Sequence, residues 1–188
     1  MKVQLDPIWR ASTQQKIFKQ LVQVISRPGE IAELDEVLGG ERAAMGVLST
    51  LADRMVSVAD PDGAIPPGAW PLLEARSAVV SDADYVVVNG KKPPGRDFEP
   101  RLGELSHPER GSTVIIEIDR LGADEGARLE LRGPGVRDTC SVCCAGLDVA
   151  WIECRRCWVS HFPLGIDLFV TDATRVLAIP RTTQVGTD

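Results

Sequence analysis

Runs of β-branched residues alternate along this chain with segments whose apolar residues recur at helical spacing. Residues 85–88 place four strand-forming side chains in a row, which indicates a strand covered on both faces. Residues 113–118 form the clearest strand candidate. Residues 166–171 and 176–179 predict a hairpin that turns at Asp172-Ala173-Thr174.

The first helix is predicted over residues 12–25. Ser12 and Gln15 have the spacing of a capping box, and five apolar residues follow at helical intervals. They are Ile17, Phe18, Leu21, Val22 and Ile25. Pro28 and Gly29 then predict a tight turn, because proline disfavours a helical conformation in the residue before it and glycine tolerates a positive φ.

Weaker patterns complete the prediction. They indicate helices at 42–52, 72–80, 99–105 and 148–160, a strand at 55–58, and a strand at 129–131 paired with 113–118 through a turn at 122–126. The inner face of the last helix is predicted to carry Trp151, Cys154 and Trp158. Because helices alternate with mostly apolar strands, we expect an α/β domain whose mixed sheet is covered by helices.

Composition is that of a single globular domain over residues 1–188. The chain is 44% hydrophobic and 26% charged, with a net charge of -6, which excludes a disordered chain. It has no apolar run near the roughly 20 residues that a membrane span requires, and its acidity argues against a general nucleic-acid binder. Residues 1–10 lack the features of a signal peptide, so we expect a cytoplasmic protein.

The cysteines form two Cys-x2-Cys pairs, Cys140 with Cys143 and Cys154 with Cys157. Four thiolates could hold a structural zinc ion. The second pair, however, overlaps an amphipathic helix, and the gap between the pairs is shorter than in zinc ribbons. We therefore favour packed, reduced thiols and expect no stoichiometric zinc; a redox role has still less support.

Other candidate chemistry is sparse. The only histidines, His107 and His161, are more simply explained as structural or solvated residues than as acid–base groups. Arg181, Thr182 and Thr183 follow a predicted strand and offer several donors to an anion, and the alternative is a capped segment with an exposed arginine. The patterns GxSxG, HExxH and GxxxxGK[ST] are absent from the sequence.

The same region carries a family resemblance. HFPLGIDL at 161–168 and LAIPRTTQV at 177–185 resemble the C-terminal signature of the PhnH family, a subunit of the carbon-phosphorus lyase system. Phe18-x2-Leu21 before Ser26-x-Pro28-Gly29 resembles the first helix and turn of that family, and Thr50-Leu51-Ala52-Asp53 resembles its second helix. Similarity therefore extends in order along nearly the whole chain.

The resemblance implies a three-layer α/β/α fold like the large domain of pyridoxal-phosphate transferases, without that cofactor or any other. It implies work with the sister subunits PhnG, PhnI, PhnJ and PhnL, and a homodimer in isolation. The implied role is support for the step in which a phosphonate displaces adenine from ATP. The product of that step is a ribose 1-phosphonate 5-triphosphate.

The resemblance transfers no catalytic residue. We therefore expect a subunit that is not catalytic alone, with Arg181, Thr182, Thr183, His161 and Asp167 as candidates for contact with a phosphate-bearing ligand or a partner. The cysteine cluster departs from the family pattern, which weakens the zinc hypothesis further. Two alternatives remain at this point, namely a scaffold that binds partner subunits only and a zinc-binding module.

Overall fold

The computed structural model describes residues 6–187, so half of the segment 1–10, on which the signal-peptide prediction rests, lies outside the described residues. The α-helices are α1 (Ala11–Ser26), α2 (Asp35–Leu38), α3 (Ala43–Leu51), α4 (Trp70–Leu73) and α5 (Ala150–Trp158). The strands are β1 (Ile31–Glu33), β2 (Ser57–Ala59), β3 (Arg76–Ser77), β4 (Tyr85–Asn89), β5 (Thr113–Glu117), β6 (Arg120–Leu121), β7 (Ala127–Arg132), β8 (Cys140–Ala145), β9 (Asp167–Thr171), β10 (Arg175–Ile179) and β11 (Gln184–Thr187). Short 3-10 helices lie at Pro7–Trp9, Val80–Asp82 and Pro108–Arg110.

A seven-stranded mixed sheet forms the centre of the molecule, in the order β1-β10-β9-β5-β4-β2-β3. Strands β9, β5, β4, β2 and β3 run parallel, whereas β10 and β1 are antiparallel to their neighbours. The predicted strands at 85–88 and 113–118 and the hairpin of 166–179 are confirmed as β4, β5 and β9–β10. Their side chains are buried on both faces, which explains the continuous apolar runs.

The two faces of this sheet have different covers. Helices α1 to α4 pack on one face, where Val87, Ile115 and Phe169 meet residues such as Ile17 and Leu48. The opposite face is covered by α5 and by a second, antiparallel sheet in the order β11-β7-β8-β6. The predicted α/β class with a mixed sheet is confirmed, but the third layer combines a sheet with one helix and is not purely helical.

The second sheet corrects the prediction that residues 129–131 pair with 113–118. Leu129 pairs instead with Val142 of β8 and with Thr187 of β11. In β7 and β8 the buried and accessible residues alternate, which is the pattern of strands with one face on the core.

Helix α1 confirms the prediction for residues 12–25, but its details differ. The helix begins after Arg10 and has no side-chain cap, so the predicted capping box is wrong. Ile17, Leu21 and Val24 are buried. Phe18, Val22 and Ile25 remain exposed, because the face that packs on the sheet is rotated from the predicted stripe.

Of two further predicted helices, one is shortened and the other is absent from the described residues. The helix expected at 72–80 is limited to α4, because Glu74 adopts a left-handed conformation with φ of 56° and the chain then enters β3. Residues 99–105 are irregular and carry only an isolated bridge between Glu104 and His107. Helices α3 and α5 confirm the predictions at 42–52 and 148–160, and β2 begins two residues later than predicted.

The connections between parallel strands create a switch point between β2 and β4. From β2 the chain moves outward to β3 through α4, whose Trp70 and Leu73 pack on the helical face of the sheet. From β4 it moves the other way to β5 through residues 90–112, whose Phe98 and Leu102 pack on the opposite face. Such divergence opens a crevice at the carboxyl ends of the two strands. None of the helices in residues 6–187 combines the length and the apolar character that crossing a membrane demands.

Candidate functional site

The sequence-predicted residues lie at the amino edge of the central sheet, where the parallel strands begin. Asp167 is the first residue of β9, and Arg181 follows the end of the antiparallel strand β10. The backbone N–H of Arg181 donates to Asp167 Oδ1 at 2.7 Å, and Arg181 Nη2 donates to Asp167 Oδ2 at 2.7 Å. The structure thus brings these two predicted residues together as a partly buried ion pair.

Arg181 is also bound to two main-chain carbonyl oxygens. Its Nη1 donates to Pro108 O at 2.7 Å and to Pro163 O at 3.3 Å. Its Nε donates to Asp167 at 3.2 Å, so each of its three nitrogens has an acceptor within the protein. With a side chain that is only 14% exposed, Arg181 joins three segments at this edge.

Thr182 and Thr183 differ in their surroundings. Thr182 is exposed, whereas Thr183 is buried and its Oγ1 has no partner among the described residues. Main-chain bonds hold this turn, since Arg155 of α5 donates from Nη2 to Pro180 O at 2.6 Å and to Thr183 O at 3.0 Å. The side chain of Arg155 in α5 therefore anchors the turn between β10 and β11.

Arg155 is a residue that the sequence analysis missed. Its exposed fraction is 2%, and burial lowers its pKa to about 10, although the nearby Asp167 acts in the opposite direction. The group is therefore still protonated at neutral pH. Its position four residues after Trp151, on the inner face of α5, is the one sequence signal that could have identified it.

His161 stands apart from the Arg181 and Asp167 pair. It is exposed just after α5, and its Nδ1 lies 2.8 Å from Ser160 Oγ. No hydrogen bond within residues 6–187 connects it to Arg181 or Asp167. A role in ligand or partner contact for Arg181, Thr182, Thr183, His161 and Asp167 therefore stays a prediction.

A second polar cluster occupies the same edge. Asp84 accepts hydrogen bonds from the backbone N–H and the hydroxyl of Ser57 at 2.8 and 2.7 Å, and it pairs closely with Arg101. Burial acts to raise the pKa of Asp84, but the bonds from Ser57 and Arg101 outweigh it and hold that pKa below its usual value. Asp84, Ser57 and Arg101 thus satisfy one another, whereas Thr183 Oγ1 and Arg155 Nε at this edge have no partner among the described residues.

The cysteines are distributed over β8 and α5. Cys140 and Cys143 are three positions apart on a strand, which points their side chains to opposite faces of the sheet. Cys144 is buried, and that burial raises its thiol pKa to about 12. In the part of the chain that the structure describes, no group of three or more histidine, cysteine or acidic side chains is placed to hold a metal ion.

Two neighbouring cavities lie at the carboxyl edge of the sheet. A cavity of about 400 Å³ lies over the ends of β4, β5 and β9. In it Arg42 Nη1 contacts both carboxylate oxygens of Glu117 at 2.7 and 2.8 Å, and Lys91 Nζ lies 2.5 Å from Asp119. Burial raises the pKa of Glu117 despite the opposing effect of Arg42.

A neighbouring cavity of about 410 Å³ fills the switch-point crevice between β2 and β4, and Asp62 and Asn89 line both cavities. Asp62 Oδ2 accepts the backbone N–H of Asn89 at 2.8 Å, which ties the loop after β2 to the end of β4. The loop after β4 is anchored because Trp151 Nε1 donates to Lys92 O at 2.7 Å. The sequence analysis missed this site, although turn residues directly after two predicted strands were its signal.

Comparison with known proteins gives the family. The family model described as "Bacterial phosphonate metabolism protein (PhnH)" matches residues 8–186. A Stutzerimonas stutzeri relative named as the C-P lyase subunit protein HtxG is 38% identical over 179 residues, which cover 95% of this chain and 89% of the relative. A Rhizobium meliloti relative named "Alpha-D-ribose 1-methylphosphonate 5-triphosphate synthase subunit PhnH" is 29% identical, with 96% and 92% of the two chains covered. The chain therefore belongs to the PhnH family of bacterial phosphonate metabolism proteins.

Proposed function

We propose that this chain is a subunit of a C-P lyase complex and supports formation of α-D-ribose 1-alkylphosphonate 5-triphosphate from ATP and a phosphonate. The observation that carries the proposal is the similarity to the Rhizobium meliloti synthase subunit over 96% of this chain. The similarity to a C-P lyase subunit of Stutzerimonas stutzeri supports membership of such a complex. The proposed partners are the sister subunits PhnG, PhnI, PhnJ and PhnL, in the cytoplasm.

In this proposal the chain is a homodimeric subunit that supports a transferase complex and is not catalytic alone. The geometry favours this role because the carboxylates and most guanidinium donors at the amino edge bind each other or the main chain. Arg181, Asp167 and Asp84 all have partners within the protein. Both histidines lie at the surface, beside Ser160 and Glu109 respectively.

Reconstitution of the complex tests the proposal. Adenine release from ATP in the presence of methylphosphonate is measured with the sister subunits alone and after addition of this chain. We expect release to depend on the chain. Equal release with and without it would overturn the proposal, and heat-denatured chain is the matched control.

A pure scaffold is the second candidate, and the exposed apolar face of α1 is the observation that favours it. Phe18, Val22 and Ile25 lie at helical spacing on one side of α1 and are all exposed. A scaffold predicts that Phe18→Ser with Val22→Ser abolishes complex assembly in size-exclusion chromatography. It also predicts that no variant with normal assembly loses turnover, and one such variant would exclude it.

The same assay applies to the predicted contact residues. Thr182→Ala and His161→Ala alter exposed side chains, so each tests contact without disturbing the core. If they form a contact surface for a ligand or partner, either assembly or adenine release falls in at least one variant. Unchanged values in both variants would exclude Thr182 and His161 from such a contact surface.

A further inference from the structure

The crevice between β2 and β4, which the proposed function does not use, has the composition of a small-molecule site. Its position at the carboxyl ends of parallel strands, where their connections diverge, is where α/β folds bind ligands most often. Its volume of about 410 Å³ falls within the usual range for such sites. It shares Asp62 and Asn89 with the neighbouring cavity of about 400 Å³.

The floor of the crevice is apolar and aromatic. Val80, Val88, Phe98 and Trp151 line it, together with prolines 93 and 94 of the loop after β4. Phe98 packs edge-on against Trp151 with ring centroids 5.0 Å apart, which holds the floor in place. A planar, weakly polar group fits such a surface.

Charged groups stand around this floor. Lys92 and Arg96 line the crevice, and among the described residues neither side chain has a hydrogen bond or ion pair. This contrasts with Lys91 and Arg42, which are held by Asp119 and Glu117. Lys92 and Arg96 are therefore free to meet an anion, and arginine suits a phosphoryl group in particular.

Carboxylates are present in the same crevice, and they narrow the class of ligand. Asp62 uses Oδ2 to bind the N–H of Asn89, while Oδ1 has no acceptor role within residues 6–187. Asp97 also lines the crevice. A ligand that carried only negative charge would meet two carboxylates, whereas a ligand with sugar hydroxyls would offer donors to them.

We infer that the crevice binds a nucleoside phosphate. The base lies on the floor formed by Val80, Val88 and Phe98, a ribose hydroxyl donates to Asp62 Oδ1, and the phosphate meets Lys92 and Arg96. The inference rests on the proposed function only for the choice of ATP as the first ligand to be tested. It assigns binding and no chemical step to this chain.

Calorimetry on the purified full chain tests the inference with ATP, AMP, adenosine, inorganic phosphate and methylphosphonate. We expect ATP and AMP to bind at one molecule per chain. Adenosine, which lacks the anion, and the two small anions, which lack the base, should bind at least tenfold more weakly. Absence of nucleotide binding at millimolar concentration, or phosphate binding as tightly as AMP, would overturn the inference.

Variants locate the bound nucleotide. Lys92→Ala with Arg96→Ala should weaken ATP binding at least tenfold, whereas Lys16→Ala with Lys19→Ala removes the same charge from the exposed face of α1 and should leave it unchanged. If both pairs of substitutions weaken ATP binding equally, or if neither pair weakens it, the nucleotide does not bind in the crevice. Thermal unfolding of each variant confirms that it is folded.

The outcomes separate this inference from the proposed function. If adenine release in the reconstituted complex depends on the chain but no nucleotide binds to it, the inference fails and the proposed function stands. If nucleotide binds through Lys92 and Arg96 but release does not depend on the chain, the proposed function fails and the inference stands.

Discussion

The amino and carboxyl edges of the central sheet are both rich in charge, but they use it differently. At the amino edge Arg181, Arg101 and Arg155 all donate to main-chain carbonyls or carboxylates within the protein. At the carboxyl edge Lys92 and Arg96 border a crevice, with no partner for either side chain in residues 6–187. A cation is a candidate for ligand binding only when its donors are not already occupied.

Topology explains the difference. At the amino edge the antiparallel strand β10 leaves the sheet beside the start of β9, and the loop around Pro108 folds against both. Several chain segments thus meet there and need donors for their carbonyl groups. At the carboxyl edge the connections from β2 and β4 diverge to opposite faces and leave space between them.

The largest expected effect tests whether the amino edge is structural. Arg155→Ala removes the donor for Pro180 O and Thr183 O and leaves a cavity, so we expect the free energy of unfolding to fall by about 3 kcal/mol. Urea denaturation measures it. Arg156→Ala, at the exposed next position, is the control and should cost less than about 0.5 kcal/mol. Equal losses would show that the buried bonds contribute little.

Arg181→Ala should have the next largest effect, a loss of about 2 kcal/mol, because Asp167 and two carbonyl oxygens lose their donor. Arg181→Lys should recover little of it, since an ammonium group cannot reach the same acceptors in a fork. Arg137→Ala, at an exposed turn residue, provides the comparison. A stability equal to wild type in Arg181→Ala would mean that the guanidinium is available for a ligand.

Acidic pH should weaken both edges through their bound carboxylates. For Asp84 and for Asp172, burial raises the pKa, but hydrogen bonds outweigh it and leave each pKa lowered. Folding therefore favours the ionised forms, and their contribution is complete above the unfolded-state pKa of about 4 and is lost as pH falls through the lower folded pKa.

Unfolding free energies measured from pH 6 to pH 3 check this dependence. The decline should be shallower in Asp172→Asn and, to a smaller extent, in the more exposed Asp84→Asn. Asp97→Asn at the crevice, an exposed site, should follow the wild-type curve. Parallel curves for all four proteins would contradict the assignment of acid sensitivity to these bonds.

The smallest effect is expected at the crevice itself. Lys92→Ala and Arg96→Ala should each change the free energy of unfolding by less than about 0.5 kcal/mol, because neither side chain is bonded within the described chain. A loss above about 1 kcal/mol would mean that these cations hold the loop after β4. The two edges would then be more alike than the structure indicates.

The sequence predicted the centre of the fold well and its margins poorly. The runs at 85–88 and 113–118 identify β4 and β5 because burial on both faces demands continuous β-branched residues. Strands β3 and β6 contain two residues each, which is too short for a pattern in the sequence. Pairing with neighbouring strands determines whether they form. In β8 the cysteines suggested metal chemistry, while their alternating burial is that of an ordinary half-buried strand.

The candidate site was predictable only in part. The sequence placed Arg181 and Asp167 in one region, and the structure pairs them, but the carbonyl acceptors of Pro108 and Pro163 come from loops with no sequence signal. Arg155 escaped prediction because arginine is rarely buried. The crevice depends on which way the chain leaves β2 and β4, which is a property of topology.

The pairing of β1 with β10, and of β7 with β11, has a consequence for the order of synthesis. Strand β1 is made early, but its neighbour in the sheet is β10, and the second sheet lacks its edge until β11 is available. Neither sheet can close while residues 175–187 are still within the ribosome. Contacts so distant in sequence slow folding, and the nascent chain exposes apolar strands during that wait. Aggregation of the nascent chain is therefore favoured until residues 175–187 have left the ribosome.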